Sequence, residues 1–490
     1  MAAPSSSAAA SAHSAAAGKR LLALSIACLL IGGVMALGAG AILALITGIT
    51  NLAFYGRLSF HAATPAGNHL GLWVILVPAI GGGAVALMAR FGSRSIQGHG
   101  IPEAMEQVLL NGSRIPPKVL ALKPLSTCVV IGTGGPFGAE GVVIATGGAL
   151  GSLVGQLFPA TPIERKTLLA AGAAAGLSAT FACPISAVLL AVELLLFEFH
   201  PRSLIPVALA SAAAAAARVP ILGNGPMFSV AGMTAPTASS LGGYLVLGAV
   251  TGLLAIVVVR AVHWVEHGFE HLPIHWMWKP ALGGIGIGLL GYFEPRVLGP
   301  GYADIEGLLG GALTAGGVAK LGMLKLAAWT VGVGCATSSG TLAPLLLIGS
   351  SVGRLTAHFM GALLDPRVAA LAGMAAFFGG MSGAFLASVV MAFEATYQPN
   401  VLMPLLAASA AAYLVCRLLS RENIMTQKFV RQGVAVPAGF TANPLDWVHV
   451  SEAMTAPAFV LPAADSIEKT AQELAASDLR SDAPLPAADA

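Results

Sequence analysis

The chain has 490 residues, of which 56% are hydrophobic and 10% charged, with a net charge of +3 and a mean hydropathy of +0.82. Soluble domains carry about 25% charged residues, so a chain this long and this apolar cannot wet its whole surface and uses lipid as its solvent. No basic run with interleaved aromatics supports a nucleic-acid partner. The five cysteines (Cys28, Cys128, Cys183, Cys335 and Cys416) are scattered through apolar stretches without a CxxC pair, which reads as core packing rather than disulfides or metal ligands.

Residues 1–18 form an Ala/Ser-rich tail expected to be disordered and cytoplasmic. Lys19 and Arg20 precede an apolar run from Leu21 to about Phe54. That run is too long for a signal-peptide core and reads as a first spanning helix whose basic flank stays in the cytoplasm. Apolar segments follow at about 70–90, 119–133, 140–158, 166–200, 203–218, 240–262, 277–293, 317–337, 343–364, 367–397 and 400–419. Several are shorter than the ~20 helical residues needed to cross a bilayer core, and many are broken by Gly or Pro. Broken helices at membrane depth are tolerated only where they are buried in protein or line a wet cavity. Arg417, Arg421, Lys428 and Arg431 cluster after the last segment, so both termini are expected to be cytoplasmic. A membrane domain over 19–433 is followed by a tail at 434–490.

The chain repeats itself. Gly138, Gly147 and Gly151 match Gly340, Gly349 and Gly353 at a spacing of 202, and Gly172, Ala175, Ala191 and Glu193 match Gly373, Ala376, Ala392 and Glu394 at 201. Two homologous halves, about 19–220 and 240–433, are therefore expected, and transporters built this way place their sites near the midplane between inverted repeats. The fold class is an all-α polytopic membrane protein with broken helices meeting at that midplane.

Three Gly-rich segments could start helices there: Gly98-His99-Gly100-Ile101-Pro102, Gly138-Ala139-Glu140-Gly141-Val142 and Gly340-Thr341-Leu342-Ala343-Pro344. Pro102 and Pro344 suit a first helical turn. Unpaired N–H groups and the positive end of a helix dipole bind an anion without a full cationic charge, and weak binding lets it leave again. The competing reading is that these glycines only permit close helix packing.

On these motifs the chain resembles the CLC family of chloride channels and chloride/proton exchangers, over about residues 20–433. Gly98–Pro102 is similar to the family's GSGIP, Gly138–Val142 to GREGP and Gly340–Pro344 to GxFxP; Phe181 through Glu193 resembles the stretch FNAPLAG…E, and Gly299–Tyr302 resembles a further loop of minor weight. The resemblance implies an anion path, a homodimer with one path per subunit, and a gating role for Glu140, a lone buried carboxylate of the kind that marks function at membrane depth. Gly98–Pro102, Gly138, Ala139, Gly141, Val142, Gly340, Thr341, Leu342 and Ala343 are the implied anion-binding positions. His99 stands where the family has serine, Met425 where it has a central tyrosine, Leu342 where it has phenylalanine, and Ala139 and Val142 where it has Arg and Pro. Many exchangers of the family carry a second glutamate after the one matched by Glu193. Here that proton-path position is Leu194, which leans toward channel-like or uncoupled conduction. Chloride is the default substrate, with bicarbonate, fluoride or nitrate as alternatives and a proton-coupled exchanger as the rival mechanism. Residues 448–477 resemble part of a CBS domain. No cofactor, resident metal, ATPase motif or enzyme activity is expected, and a bacterial inner or plasma membrane is the expected location.

Two other classes compete. A receptor or scaffold would have no need of glycine-broken helices in two repeats. An intramembrane protease is suggested by His263-Trp-Val-Glu266-His267, which fits the zinc pattern HxxEH, and more weakly by Ser338, for which no base is placed. The neighbouring Trp264, Trp276 and Trp278 instead read as an interfacial belt. Elemental analysis of purified protein is expected to find no stoichiometric zinc; one zinc per chain would revive the protease reading.

Overall fold

The computed structural model describes the backbone of residues 6–17 and, apart from 231, 234, 312, 339, 421, 432 and 435, residues 18–436. All of these fall in the first of the two units, Met1–Phe440 and Thr441–Ala490, into which the chain divides. The CBS-like segment at 448–477 lies outside the described residues.

The first half holds α1 (Ser6–Tyr55), α2 (Leu76–Phe91), α3 (Ile101–Leu110), α4 (Pro117–Gly132), α5 (Glu140–Leu157), α6 (Pro162–Phe181), α7 (Pro184–Ala191) and α8 (Pro201–Leu222). The second holds α9 (Leu241–His271), α10 (Lys279–Phe293), α11 (Tyr302–Gly310), α12 (Ala315–Gly334), α13 (Leu342–Met360), α14 (Pro366–Ser382), α15 (Phe385–Thr396) and α16 (Leu402–Leu419), and α17 (Gln427–Arg431) follows. Seven helices among the described residues are long and apolar enough to cross a membrane. Two features differ from expectation. The tail predicted to be disordered is helical from Ser6, as its run of alanine, the strongest helix former, favours. The apolar stretches at 166–200 and 367–397 are each two helices: Ala182 turns left-handed before Pro184 in one, and Gly383 does so in the other.

Helix pairs recur in both halves. In α5 and α6, a β-carbon on Gly147 would lie 2.0 Å from the Gly172 carbonyl oxygen; for the repeat mates Gly349 and Gly373, in α13 and α14, the distance is 2.6 Å. The glycines thus set the close approach that small-residue packing requires.

The halves are inverted relative to each other. Glu394, at the end of α15, accepts from the N–H groups of Ile185 (3.0 Å) and Ser186 (2.8 Å) at the start of α7. Its mate Glu193, just beyond α7, accepts from Leu386 (2.9 Å) and Ala387 (3.0 Å) at the start of α15. Each half's carboxylate caps the other's helix, so the start of each helix meets the end of its mate and the two run antiparallel. The α2–α10 pair agrees: β-carbons on Gly284 and Gly288 would meet the carbonyls of Pro78 and Ile75, while one on Gly82 would meet Pro280.

Each cap satisfies two first-turn amides that have no intrahelical partner. Loss of a charged acceptor from buried amides costs about 1–3 kcal/mol. Glu394→Ala and Glu193→Ala are each expected to lower the thermal midpoint of the detergent-purified protein by several degrees and to leave anion selectivity alone. A selectivity change with either variant would count against a purely structural pair.

Candidate functional site

The three glycine-rich segments meet. A β-carbon on Gly100 would lie 2.3 Å from the Gly141 carbonyl oxygen, and one on Gly340 would lie 2.2 Å from that of Gly138 and 3.3 Å from the Gly141 nitrogen. Any side chain would wedge the segments apart. Ahead of α3, Gly98 pairs with Ser338 in a parallel bridge, its N–H donating to Thr337 O at 3.1 Å. The starts of α3, α5 and α13 therefore converge, two from the first half and one from the second.

Three of the expected backbone donors are engaged. Gly98 N–H is held by Thr337; Gly100 N–H donates to Glu103 Oε2 at 2.6 Å, a carboxylate capping its own helix; and Ala139 N–H donates to Tyr302 Oη at 3.0 Å. Acceptors within the protein already hold these amides. Ile101, Gly141, Val142, Leu342 and Ala343 are first-turn amides with no carbonyl four residues back; Pro102 and Pro344 have no N–H to give. Thr337 Oγ1, Thr341 Oγ1 and Glu140 Oε2 are buried without a hydrogen-bond partner.

Glu140 is wholly buried. Its carboxyl folds back over Gly138, where a β-carbon would lie 1.8 Å from Oε2. Oε1 accepts from the Tyr302 hydroxyl at 2.9 Å, and the backbone amides of Glu140 itself and of Ala343 lie near the carboxylate. A cavity of ≈ 250 Å³ lined by Ala139, Arg296, Pro300, Gly301 and Tyr302 adjoins the segment carrying Glu140. A second, of ≈ 540 Å³, is lined by Gly98, His99, Glu103, Ile424, Gln427 and Lys428, at the loop ahead of α3. Arg296, at the rim of the smaller cavity, bonds Glu294 at 2.9 Å. Burial pushes the Glu294 carboxyl up, but hydrogen bonds from Arg296 and Lys320 outweigh it and hold the group below its usual range.

His99 is half-buried and faces the larger cavity. Met425 is fully buried in the core, its N–H donating to Asn423 Oδ1 at 2.9 Å; its neighbours Ile424 and Gln427, rather than Met425, line that cavity. Leu194 is buried in the apolar core, beside the capping Glu193. In the HxxEH stretch, Glu266 lies 3.5 Å from Arg431 and the His267 ring meets that of His271 at a tilt of 57°, with centroids 4.1 Å apart. Among the described residues no group of three or more His, Cys, Asp or Glu side chains is arranged to hold a metal. Ser338 bonds the hydroxyls of Ser126 (3.1 Å) and Thr127 (2.7 Å), with no histidine among these partners.

The supports of the site were not singled out from the sequence. Lys123 Nζ in α4 donates to the carbonyls of Ile96 (2.8 Å) and Gly98 (2.9 Å), ahead of α3. Lys325 Nζ in α12 donates to those of Val297 (2.9 Å) and Gly299 (2.5 Å), ahead of α11. Both lysines are buried and stand 202 residues apart, while Gly98 and Gly100 stand 201 before Gly299 and Gly301. The loop Gly299–Tyr302 is thus the repeat mate of Gly98–Ile101. The repeat spacing, carried past the glycines already matched, is the signal that would have found Lys123 and Lys325 and given weight to the Gly299–Tyr302 loop.

Residues 79–417 match the family described as "Voltage gated chloride channel". The voltage-gated ClC-type chloride channel ClcB of Escherichia coli O81 is 28% identical over 373 residues, covering 74% of this chain and 88% of that protein. A putative chloride channel protein ClcB-like from Ralstonia nicotianae is 24% identical over 366 residues, covering 73% and 85%. Chloride channel protein CLC-f of Arabidopsis thaliana is 28% identical over 374 residues and 70% of this chain, which spans about half of that relative, 47% of its length. Among solved structures, a slow cyanobacterial Cl−/H+ antiporter matches with a TM-score of 0.75 at 22% identity, over 84% of this chain and 97% of its own. A CLC-type fluoride/proton antiporter matches with a TM-score of 0.68 at 23% identity, over 82% and 96%. These two likenesses show the fold. With the family match over more than two thirds of its length, the chain belongs to the voltage-gated chloride channel family, an integral membrane family of anion transport.

Proposed function

We propose that this protein moves chloride across a bacterial inner or plasma membrane along a path between the starts of α3, α5 and α13, gated by Glu140. The observation that carries the reading is that carboxylate: a negative group lodged among helix N-termini occupies the kind of place in which an anion would sit. A carboxylate and a chloride compete for the same partial positive charges, and protonation removes the carboxylate's claim. The amides of Ile101, Gly141, Val142, Leu342 and Ala343 are the proposed donors, with His99 on the larger cavity and Met425 behind it. Bicarbonate, fluoride and nitrate are the alternative cargoes.

Uncoupled conduction is favoured by Leu194, an apolar side chain where a proton would need a carboxylate. The exchanger is the second reading. It is favoured by His99 and Glu103, which line the larger cavity and offer protons a route that bypasses position 194. Cytoplasmic termini are supported by inversion, which brings the end of α9 to the face where α1 begins, and by the basic residues Lys19, Arg20, Lys428 and Arg431 on that face. A homodimer with one path per subunit is carried over from the family.

Chloride efflux from proteoliposomes, with proton uptake followed in the same vesicles, decides between the mechanisms: protons driven against their gradient mean exchange, and their absence means uncoupled conduction. Efflux of the wild type is expected to rise as pH falls, because protonation frees the carboxylate. Glu140→Gln is expected to be severalfold faster at neutral pH and nearly flat with pH; a pH profile like that of the wild type would remove Glu140 from the gate. His99→Ala is expected to change the chloride/fluoride/nitrate ranking or the response of efflux to pH; unchanged behaviour in both would leave His99 a structural residue.

A further inference from the structure

The Gly299–Tyr302 loop and its mate Gly98–Ile101 share the same glycines and the same lysine clamp, but they end differently. Where the first half places Ile101, the second places Tyr302. That phenol does two things at once. Its hydroxyl accepts from Ala139 N–H at 3.0 Å and donates to Glu140 Oε1 at 2.9 Å. Its ring stands edge-on to Phe181 at a centroid distance of 6.1 Å, and it opens α11 directly after Gly301, whose left-handed backbone (φ +78°) turns the chain into the helix. The loop behind it is pinned by Lys325 through the carbonyls of Val297 and Gly299. The hydroxyl is therefore positioned from three directions and has little freedom to leave.

We propose that Tyr302 is the latch of the gate: its hydroxyl holds Glu140 in the closed position and, by accepting from Ala139, withholds that amide from the anion. This rests on the gating reading of Glu140 and adds a positioning residue to it. A neutral donor stabilises an ionised acceptor more than a protonated one, so the latch grips while the carboxylate is charged and slackens when it is protonated. Opening then breaks the hydrogen bond between the phenol and the carboxylate and frees Glu140, while the Ala139 amide stays with the phenol. The charged or titratable groups facing this pair are few: Lys325 from α12, which acts on both Glu140 and Asp304, and Asp304 from α11, with Arg296 and Glu294 beyond it. None of these is altered by the tests below.

Tyr302→Phe removes one oxygen and keeps the ring against Phe181. A hydrogen bond to a charged group is lost, which corresponds to about a tenfold change in the open–closed balance. Chloride efflux at pH 7 is expected to be about tenfold faster, with the midpoint of acid activation displaced upward by about one pH unit. On the Glu140→Gln background the same substitution is expected to change neither rate nor pH profile. A more acidic phenol, 3-fluorotyrosine at 302, should grip harder and slow efflux, and it keeps the test open should the phenylalanine variant fold poorly. Tyr302→Phe efflux equal to or slower than wild type, or an acceleration that persists with Glu140→Gln, would overturn the latch; the latter would mean that the phenol only narrows the path. The gate reading fails separately, if Glu140→Gln alone keeps the wild-type pH profile.

Discussion

Two buried ammonium groups hold this molecule's centre open. A helix that begins in the middle of a bilayer must be preceded by backbone that is not helical, and that backbone cannot leave its carbonyls unsatisfied in a place without water. Lys123 and Lys325 each satisfy two of them, one pair ahead of α3 and one ahead of α11. The lysine donors thus go to carbonyls, with Glu103 and Asp304 nearby, while first-turn amides of α3, α5 and α13 are left without an intrahelical acceptor. In the proposed path, buried lysines brace the loops and only partial charges meet the ion, a division that suits binding followed by release.

Duplication explains why the supports come in pairs and why the site is nevertheless lopsided. The glycines, the lysine clamps and the exchanged caps of Glu193 and Glu394 recur in both halves. The loops they support have diverged. Gly98–Ile101 carries His99 toward the larger cavity, and Gly299–Tyr302 carries a phenol to the smaller one and to Glu140. Inversion turns equivalent loops in opposite directions, so a change in one copy need not be matched in the other.

α17 adds a contact on the face of the larger cavity. Lys428 pairs with Glu106 of α3 at 2.5 Å, and Arg431 lies 3.5 Å from Glu266 of α9. The short helix is thereby joined to one element of each half. Such ion pairs contribute little energy where they are exposed, but here they orient Gln427 and Lys428 into the cavity lining that also contains His99.

The sequence by itself determined the solvent, the helical class, the doubling of the chain and the three glycine-rich segments around Glu140, because hydropathy, helix-breaking residues and residue spacing are local or periodic properties. It also carried the spacing that links Lys123 to Lys325 and Gly98 to Gly299. What those residues do was decided only by tertiary structure. Whether Glu193 caps its own half or the other depends on the antiparallel meeting of α7 and α15. The engagement of Gly98, Gly100 and Ala139 depends on acceptors at Thr337, Glu103 and Tyr302. Even for the Gly100 N–H, whose acceptor Glu103 lies only three residues on, packing settles which partner arrives. Hydrogen bonds between halves some two hundred residues apart leave no periodic trace in a chain, since either partner alone looks like an ordinary residue in an apolar stretch.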